Sequence, residues 1–339
     1  MMPSKAITFL CFGFWAVLAP LVRPAASATP LKQSAAKAGV EEVWSLGSLE
    51  DNKLLMWVGL AVDDDGSLYV SDALDYSLKV FDLKGRLLRT GRRAGTGSEE
   101  FQALRELALS RELVFAIDQY RPNILVFNKQ LQYQYAISQP RPISCLRTLP
   151  DGTLAAACVP IKKGERPVIW LADSRGRTLQ EIRYGADAAH PAGDRASFVL
   201  SGPDLVLAYN FKNKVERLDR TGRVIWSKRL FNFPDARFKS VMGTQLPTQY
   251  IYKDIAVDRT GRLYVLGGGP AEHPSRDVYV LSPGGEMVAT IVLPDSTHFL
   301  YIDAQDFLYS RANDGLTIKK FKVLFPAEPG RKPLKRPRP

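Results

Sequence analysis

One phrase recurs along this chain at the spacing of a four-stranded unit. It is clearest as GLAVDDDGSLYVSD (Gly59 to Asp72) and DIAVDRTGRLYVLG (Asp254 to Gly267). It is weaker in ELALSRELVFAID, LRTLPDGTLAAAC and FVLSGPDLVLAYN, and sharpens again in LYIDAQDFLYS. Aligned on the first apolar residue after each turn (Leu68, Leu113, Leu154, Leu205, Leu263, Leu308), the copies stand 45, 41, 51, 58 and 45 residues apart. Six copies of one hairpin at such a period narrow the architecture before any single residue is weighed.

A second repeat runs half a unit out of phase. It reads Asp-x-x-Gly-Arg at Asp82 to Arg86, Asp173 to Arg177 and Asp219 to Arg223, with a variant at Ser282 to Glu286 and a degenerate copy at Asn128 to Leu131. Asp accepts local backbone hydrogen bonds and Gly tolerates positive φ, so this is turn chemistry. Each unit therefore holds two hairpins, strands a-b and strands c-d. The strands are apolar and β-branched or aromatic, as in SLKVFDL, ILVFN, VIWLAD and VYVLS. After residue 40 no long stretch shows a 3.6-residue period. The expectation is an all-β, six-bladed propeller of four-stranded blades spanning residues 41–325. Its sixth unit ends at LTIKKFKV (Leu316 to Val323) with no outer strand, and an orphan strand, EEVWSLG (Glu41 to Gly47), precedes the first unit. Pairing the two would close the ring and remove an open edge.

The organisation resembles the NHL-repeat family of propellers. The phrases that carry the resemblance are GRRAGTGSEEFQALRELAL (Gly91 to Leu109) and VDDDGSLYVSDALDYSLKVFDLKG (Val62 to Gly85). Blades three and four depart from the pattern, and blade five carries insertions. The resemblance implies a scaffold whose members bind proteins or RNA, with a lyase branch that uses a metal.

Residues 1–28 read as an export signal. Lys5 precedes an apolar run from Ala6 to Val22, and Ala26-Ser27-Ala28 fits small-residue cleavage. A linker, 29–40, would follow, and export argues against nucleic-acid work. The formal charge is +11, but Lys5 and Arg23 belong to the leader and five more basic residues to the tail Pro329–Pro339. Without them the body carries 39 basic against 35 acidic residues, which is no nucleic-acid footprint. The Pro-rich basic tail, 326–339, has little to bury and is expected to be disordered, with weak contact to an anionic surface as its one conceivable role.

Candidate chemistry is sparse. Outside the leader stand two cysteines, Cys145 and Cys158, in the third a-b hairpin. A two-residue loop at Asp151-Gly152 would set them face to face for a disulfide. A type I turn with a Gly bulge in Leu149-Pro150-Asp151-Gly152-Thr153 would set them on opposite faces, and that turn is the favoured reading. His190, His273 and His298 all fall on the face bearing the b-c loops and could supply a zinc site, although Pro/Gly-containing insertions around the first two favour surface histidines. Asp63-Asp64-Asp65-Gly66 resembles a fragment of a calcium loop without its closing Glu, and the turn reading is favoured. No Gly-x-Ser-x-Gly elbow and no phosphate loop occurs.

These features favour an exported, monomeric, non-enzymatic propeller that needs no cofactor. It would bind a protein, peptide or glycan through the b-c loop face, with Tyr120, Arg121, Tyr209, Lys212 and Arg311 as the contact residues. Tyr offers apolar area with a polar tip and Arg pairs with anions. The alternative is a metal-dependent lyase or lactone hydrolase working in the central channel.

Overall fold

The turns are built by one local device. The Asp82 carboxylate accepts from the amides of Lys84 and Arg86, both at 2.9 Å, and from Arg86 Nε at 2.6 Å. Asp173, Asp219 and Asp258 repeat the pattern with Arg177, Arg223 and Arg262. Gly85, Gly176, Gly222 and Gly261 follow at φ +72° to +86°. In the degenerate copy Asn128 supplies the acceptor and Leu131 itself adopts φ +62°. A side chain that organises its own turn specifies a hairpin locally, before any long-range contact forms.

The computed structural model describes residues 35–326 apart from 49, 52, 93–94, 96–99, 102, 119, 163, 186–189, 243 and 270–275. Two strands precede the blades, β1 (Ala36–Lys37) and β2 (Gly39–Leu46). Blade one is β3–β6 (Trp57–Val62, Leu68–Asp72, Ser77–Phe81, Leu87–Arg92). Blade two is β7–β10 (Leu104–Leu109, Leu113–Asp118, Asn123–Asn128, Tyr133–Ser138). Blade three is β11–β14 (Ile143–Thr148, Leu154–Cys158, Val168–Ala172, Thr178–Arg183). Blade four is β15–β18 (Ala196–Ser201, Asp204–Tyr209, Val215–Leu218, Val224–Lys228). A separate hairpin, β19 (Phe238–Val241) and β20 (Thr244–Pro247), follows. Blade five is β21–β24 (Tyr252–Val257, Leu263–Gly267, Asp277–Leu281, Met287–Val292). Blade six holds β25–β27 (Leu300–Ile302, Phe307–Arg311, Ile318–Leu324), and β2 is its outer strand.

That outer strand closes the ring. β2 pairs antiparallel with β27 from Gly39↔Leu324 to Leu46↔Ile318. Ala36–Lys37, expected in a linker, instead adds a short parallel strand to the edge of β24. Blade six also meets blade one directly, since the Tyr301 hydroxyl donates to the Val62 carbonyl at 3.2 Å.

Each apolar cluster lies between two neighbouring blades rather than within one. Phe115, Ile117 and Val126 of blade two pack on Leu154, Ala156 and Trp170 of blade three. Five equivalent clusters fill the remaining junctions, including the one between blades six and one. Strands such as β4, β12 and β22 are buried at every position because each sheet is covered on both faces. Their sequences therefore read as apolar runs without alternation.

The third hairpin decides the cysteines. Gly152 takes φ +84°, its amide donates to the Leu149 carbonyl, and Leu146↔Ala156 and Arg147↔Ala155 set the register. This is the type I turn with a Gly bulge. Cys145 enters the cluster shared with blade four, and Cys158 the cluster shared with blade two. Both are free and buried, so the disulfide is ruled out by direction. Burial pushes both thiols up to about 12.

Candidate functional site

The inner strands β3, β7, β11, β15, β21 and β25 surround the axis. In four of them the pairing with the second strand slips by one residue near the b-c loop end: at Trp57/Gly59, Leu104/Glu106, Ile143/Cys145 and Tyr252/Asp254. A β-bulge re-aims side chains and is common beside functional sites. The extra residues include Arg105 in blade two and Lys253 in blade five, and these two blades are opposite in a ring of six. The next residues, Glu106 and Asp254, meet one guanidinium. Arg147 of blade three places Nη1 3.4 Å from Glu106 Oε2 and Nη2 3.8 Å from Asp254 Oδ1. Three blades thus converge on one charged cluster at the axis.

Burial is the main influence on Asp254 and pushes its carboxyl up to about 6; Arg147 and the amides of Leu300 and Ile255 oppose that, while Glu106 adds to it. The Asp254 oxygens accept from the Ile255 amide at 2.9 Å and the Leu300 amide at 3.0 Å. A carboxyl held near neutrality in a channel can give or take a proton, the requirement for acid–base chemistry.

Toward the b-c loop face lies a second group: Lys253, His298 and Arg311. The Lys253 ammonium is buried and has no hydrogen-bond partner among the described residues. Burial lowers it to about 8. Burial, then the charges of Lys253 and Arg311, lower His298 to about 4, so it is neutral at pH 7. Burial likewise lowers Arg311. Toward the a-b turn face the Arg147 cluster roofs a cavity of about 610 Å³.

The five expected contact residues are not one surface. Tyr209 is fully buried: its ring packs edge-on to Tyr184 at 6.2 Å and its hydroxyl donates to Glu216 Oε2 at 2.7 Å. Its expected place in a b-c loop does not hold, because β16 runs through it into the cluster between blades three and four. Lys212 is ion-paired with buried Asp194. Arg121 lies 3.8 Å from Asp118 and donates to the Gly95 carbonyl at 3.2 Å. Tyr120 is 56% exposed, and Arg311 stands at the channel mouth.

The histidines do not form a group either. His190 stacks on Phe238 at 4.1 Å between ring centroids, and its Nδ1 accepts from the Ala192 amide at 3.1 Å. His298 sits beside two cations, an environment that repels a divalent metal. His273 lies outside the described residues. Among the described residues no three His, Cys, Asp or Glu side chains are grouped to hold a metal. At the calcium-like fragment, Asp63 pairs with Lys129 at 2.6 Å and Asp65 accepts from the Ser67 amide at 2.8 Å, as a turn requires.

The channel residues lie on inner strands, not on the loops where the sequence places the contact residues. A signal was present: charges interrupt three otherwise apolar inner strands, LRELAL, ISCLRT and YKDIAV, whereas WVGLAV, ASFVLS and LYI carry none.

No family model matches this sequence, and no curated protein matches it. Solved structures do. A member of the DUF4221 family from Bacteroides vulgatus is 12% identical with a TM-score of 0.59, covering 87% of this chain and 100% of its own. A putative exported protein from Bacteroides fragilis is 15% identical with a TM-score of 0.57, covering 85% and 95%. Virginiamycin B lyase from Staphylococcus aureus is 13% identical with a TM-score of 0.53, covering 86% and 100%. At these identities the likeness is one of fold, and the fold is the six-bladed β-propeller.

Proposed function

We propose that this chain is an exported binding propeller of NHL-repeat type that captures an anionic group of a protein, peptide or glycan at the channel mouth on the b-c loop face. One observation carries the reading: the Lys253 ammonium is buried, unpartnered among the described residues, and set beside Arg311 and a neutral His298. An unpaired buried ammonium costs stability, about 1–3 kcal/mol for a lost partner. Such a cost is retained where a ligand supplies the partner. The leader-like residues 1–28 and the exported neighbour support export. The near-neutral body supports a partner other than nucleic acid.

The test compares wild type, Arg311→Ala and Lys253→Met on arrays of acidic peptides and carboxylated glycans. Lys253→Met keeps the length of the stem and removes the charge. We expect at least tenfold weaker binding in each variant, with the Tm of Lys253→Met unchanged or higher. Equal binding by all three proteins overturns the reading.

A second reading rests on a separate observation, the Asp254 carboxyl raised to about 6 beside Arg147 and Glu106. Asp254 is thus an inward carboxyl able to move a proton, as a channel lyase or lactone hydrolase would need. Virginiamycin B lyase shares the fold, not these residues by any shown correspondence. Turnover of a chromogenic lactone by wild type that vanishes in Asp254→Asn would favour it over binding alone.

A further inference from the structure

Large apolar side chains exposed to solvent gather on the face that bears the b-c loops. Leu55 and Met56 lie in the link into blade one, Leu74 and Tyr76 in its b-c loop, and Tyr120 and Ile161 in the b-c loops of blades two and three. They are between 37% and 64% exposed and belong to three consecutive blades. Single exposed apolar residues are ordinary, whereas a group of them on one face marks a contact surface. Their loops hold them in place. The Leu55 and Met56 amides donate to the Asp72 carboxylate at 2.8 and 2.9 Å, and the Ala73 amide donates to the Met56 carbonyl at 2.8 Å, which ties the link to the b-c loop. The Tyr120 amide donates to Asp118 Oδ1 at 3.0 Å, and the Ile161 amide to Glu165 Oε2 at 3.1 Å. In each loop a carboxylate grips the amide of a residue whose side chain is left in water. Asp72 is itself neutralised by Lys79 at 2.9 Å, so that charge is satisfied inside the loop. Tyr76 is held at φ +48°, a conformation uncommon for residues other than Gly. A display fixed beforehand loses little freedom when a partner covers it.

The same face holds the mouth with Lys253 and Arg311, and the combination narrows the occupant. A second copy of this chain stacked on the face would bring the cations of two mouths together, and like charges repel. An anionic membrane would meet Glu50 and Asp51, both exposed in the link that carries Leu55 and Met56. A glycan can offer a carboxylate but few large apolar groups, whereas a polypeptide offers both. Tyr and Met are enriched at the centres of protein interfaces. We propose that the apolar rim and the mouth form one interface for a segment of a partner protein, in which a carboxylate enters the mouth and large apolar side chains on either side of it lie on Leu74, Tyr76 and Tyr120. The place of the carboxylate rests on anion capture at the mouth; the apolar contacts do not.

Calorimetric titration with synthetic peptides tests it. The probe is Leu-Phe-Gly-Glu-Gly-Phe-Leu, acetylated and amidated so that Glu carries its one charge. One control replaces Glu by Gln; the other replaces every Leu and Phe by Ser. Wild type is compared with the double variant Leu74→Ser/Tyr120→Ser, two exposed changes that leave the carboxylate–amide contacts in place. We expect saturable binding of the probe to wild type, at least tenfold weaker binding of the Ser-flanked control, and at least tenfold weaker probe binding by the double variant. Vesicles of phosphatidylcholine and phosphatidylglycerol should not bind. The proposal is overturned by no saturable binding of the probe, by the Ser-flanked control binding as well as the probe, by an unaltered double variant, or by vesicle binding that the double variant loses. If the double variant fails to fold, the two peptides on wild type still decide. The Gln control keeps the two readings apart. Equal binding of the Glu and Gln peptides overturns anion capture at the mouth, while the Ser-flanked comparison still supports or refutes the apolar rim.

Discussion

Two residues show how tightly the axis is built. Gly59 is not in a left-handed conformation; its requirement is space. A Cβ there would stand 2.5 Å from the Arg105 carbonyl oxygen and 2.9 Å from Ser71 Oγ, where the inner strands of blades one and two approach. Gly59→Ala should therefore cost about 1–3 kcal/mol, read by urea denaturation, because backbone rather than a flexible side chain must give way. Asp254 stores a cost of another kind. Its carboxyl is raised from 3.8 to about 6 by burial, against Arg147 and the amides of Leu300 and Ile255, and with Glu106 adding to the shift. Between those two values the folded protein holds a proton that the unfolded chain has released. Stability is therefore greatest below 3.8 as far as this group is concerned, and falls as pH rises through about 6, by up to about 3 kcal/mol. Asp254→Asn removes this contribution. Relative to the variant, wild type should lose unfolding free energy from pH 4 to pH 7; parallel pH profiles would refute the assignment.

Among the elements, β2 has the largest consequence for its length. Its residues close blade six, and Trp44 packs edge-on to Tyr309 at 6.1 Å between ring centroids. Deleting residues 39–46 leaves β27 as an open edge between apolar clusters. The expected result is a broadened urea transition with a lower midpoint, since the ring then unravels from blade six instead of melting as one body. A single sharp transition at the wild-type midpoint would count against closure by this strand. The bulges matter at the same scale. Without them Arg105 and Lys253 would have no added positions in the inner strands, and Glu106 and Asp254 would fall out of step with their neighbours. The β19–β20 hairpin stands outside the six-blade repeat. It carries fully exposed Met242 at φ +48° and is tied down at Phe238, which contacts His190 and Phe211.

At the scale of the whole molecule, the ring turns positions far apart in sequence into neighbours. Glu106, Arg147 and Asp254 come from blades two, three and five; Lys253 and Arg311 come from blades five and six. The charged cluster separates two ends of the channel that differ in chemistry: a cationic mouth on one face and a cavity with mixed charges on the other. Lys253→Met and Arg311→Ala are predicted to weaken capture of an anionic partner at the mouth.

The architecture was legible because it is local and repeated. Each Asp or Asn organises its own turn, each apolar run is one strand, and counting copies gives six blades and the missing outer strand. The opposite directions of Cys145 and Cys158 could be read the same way, from Pro150-Asp151-Gly152 alone. The site was not legible, for a physical reason. Whether Tyr209 ends in solvent or against Tyr184 depends on the neighbouring blade, and whether Arg147 meets Glu106 and Asp254 depends on ring closure and on bulges that change the facing of one residue. Sequence spacing carries the hairpins; only the closed ring decides which side chains reach the axis and which of them are left with donors to offer.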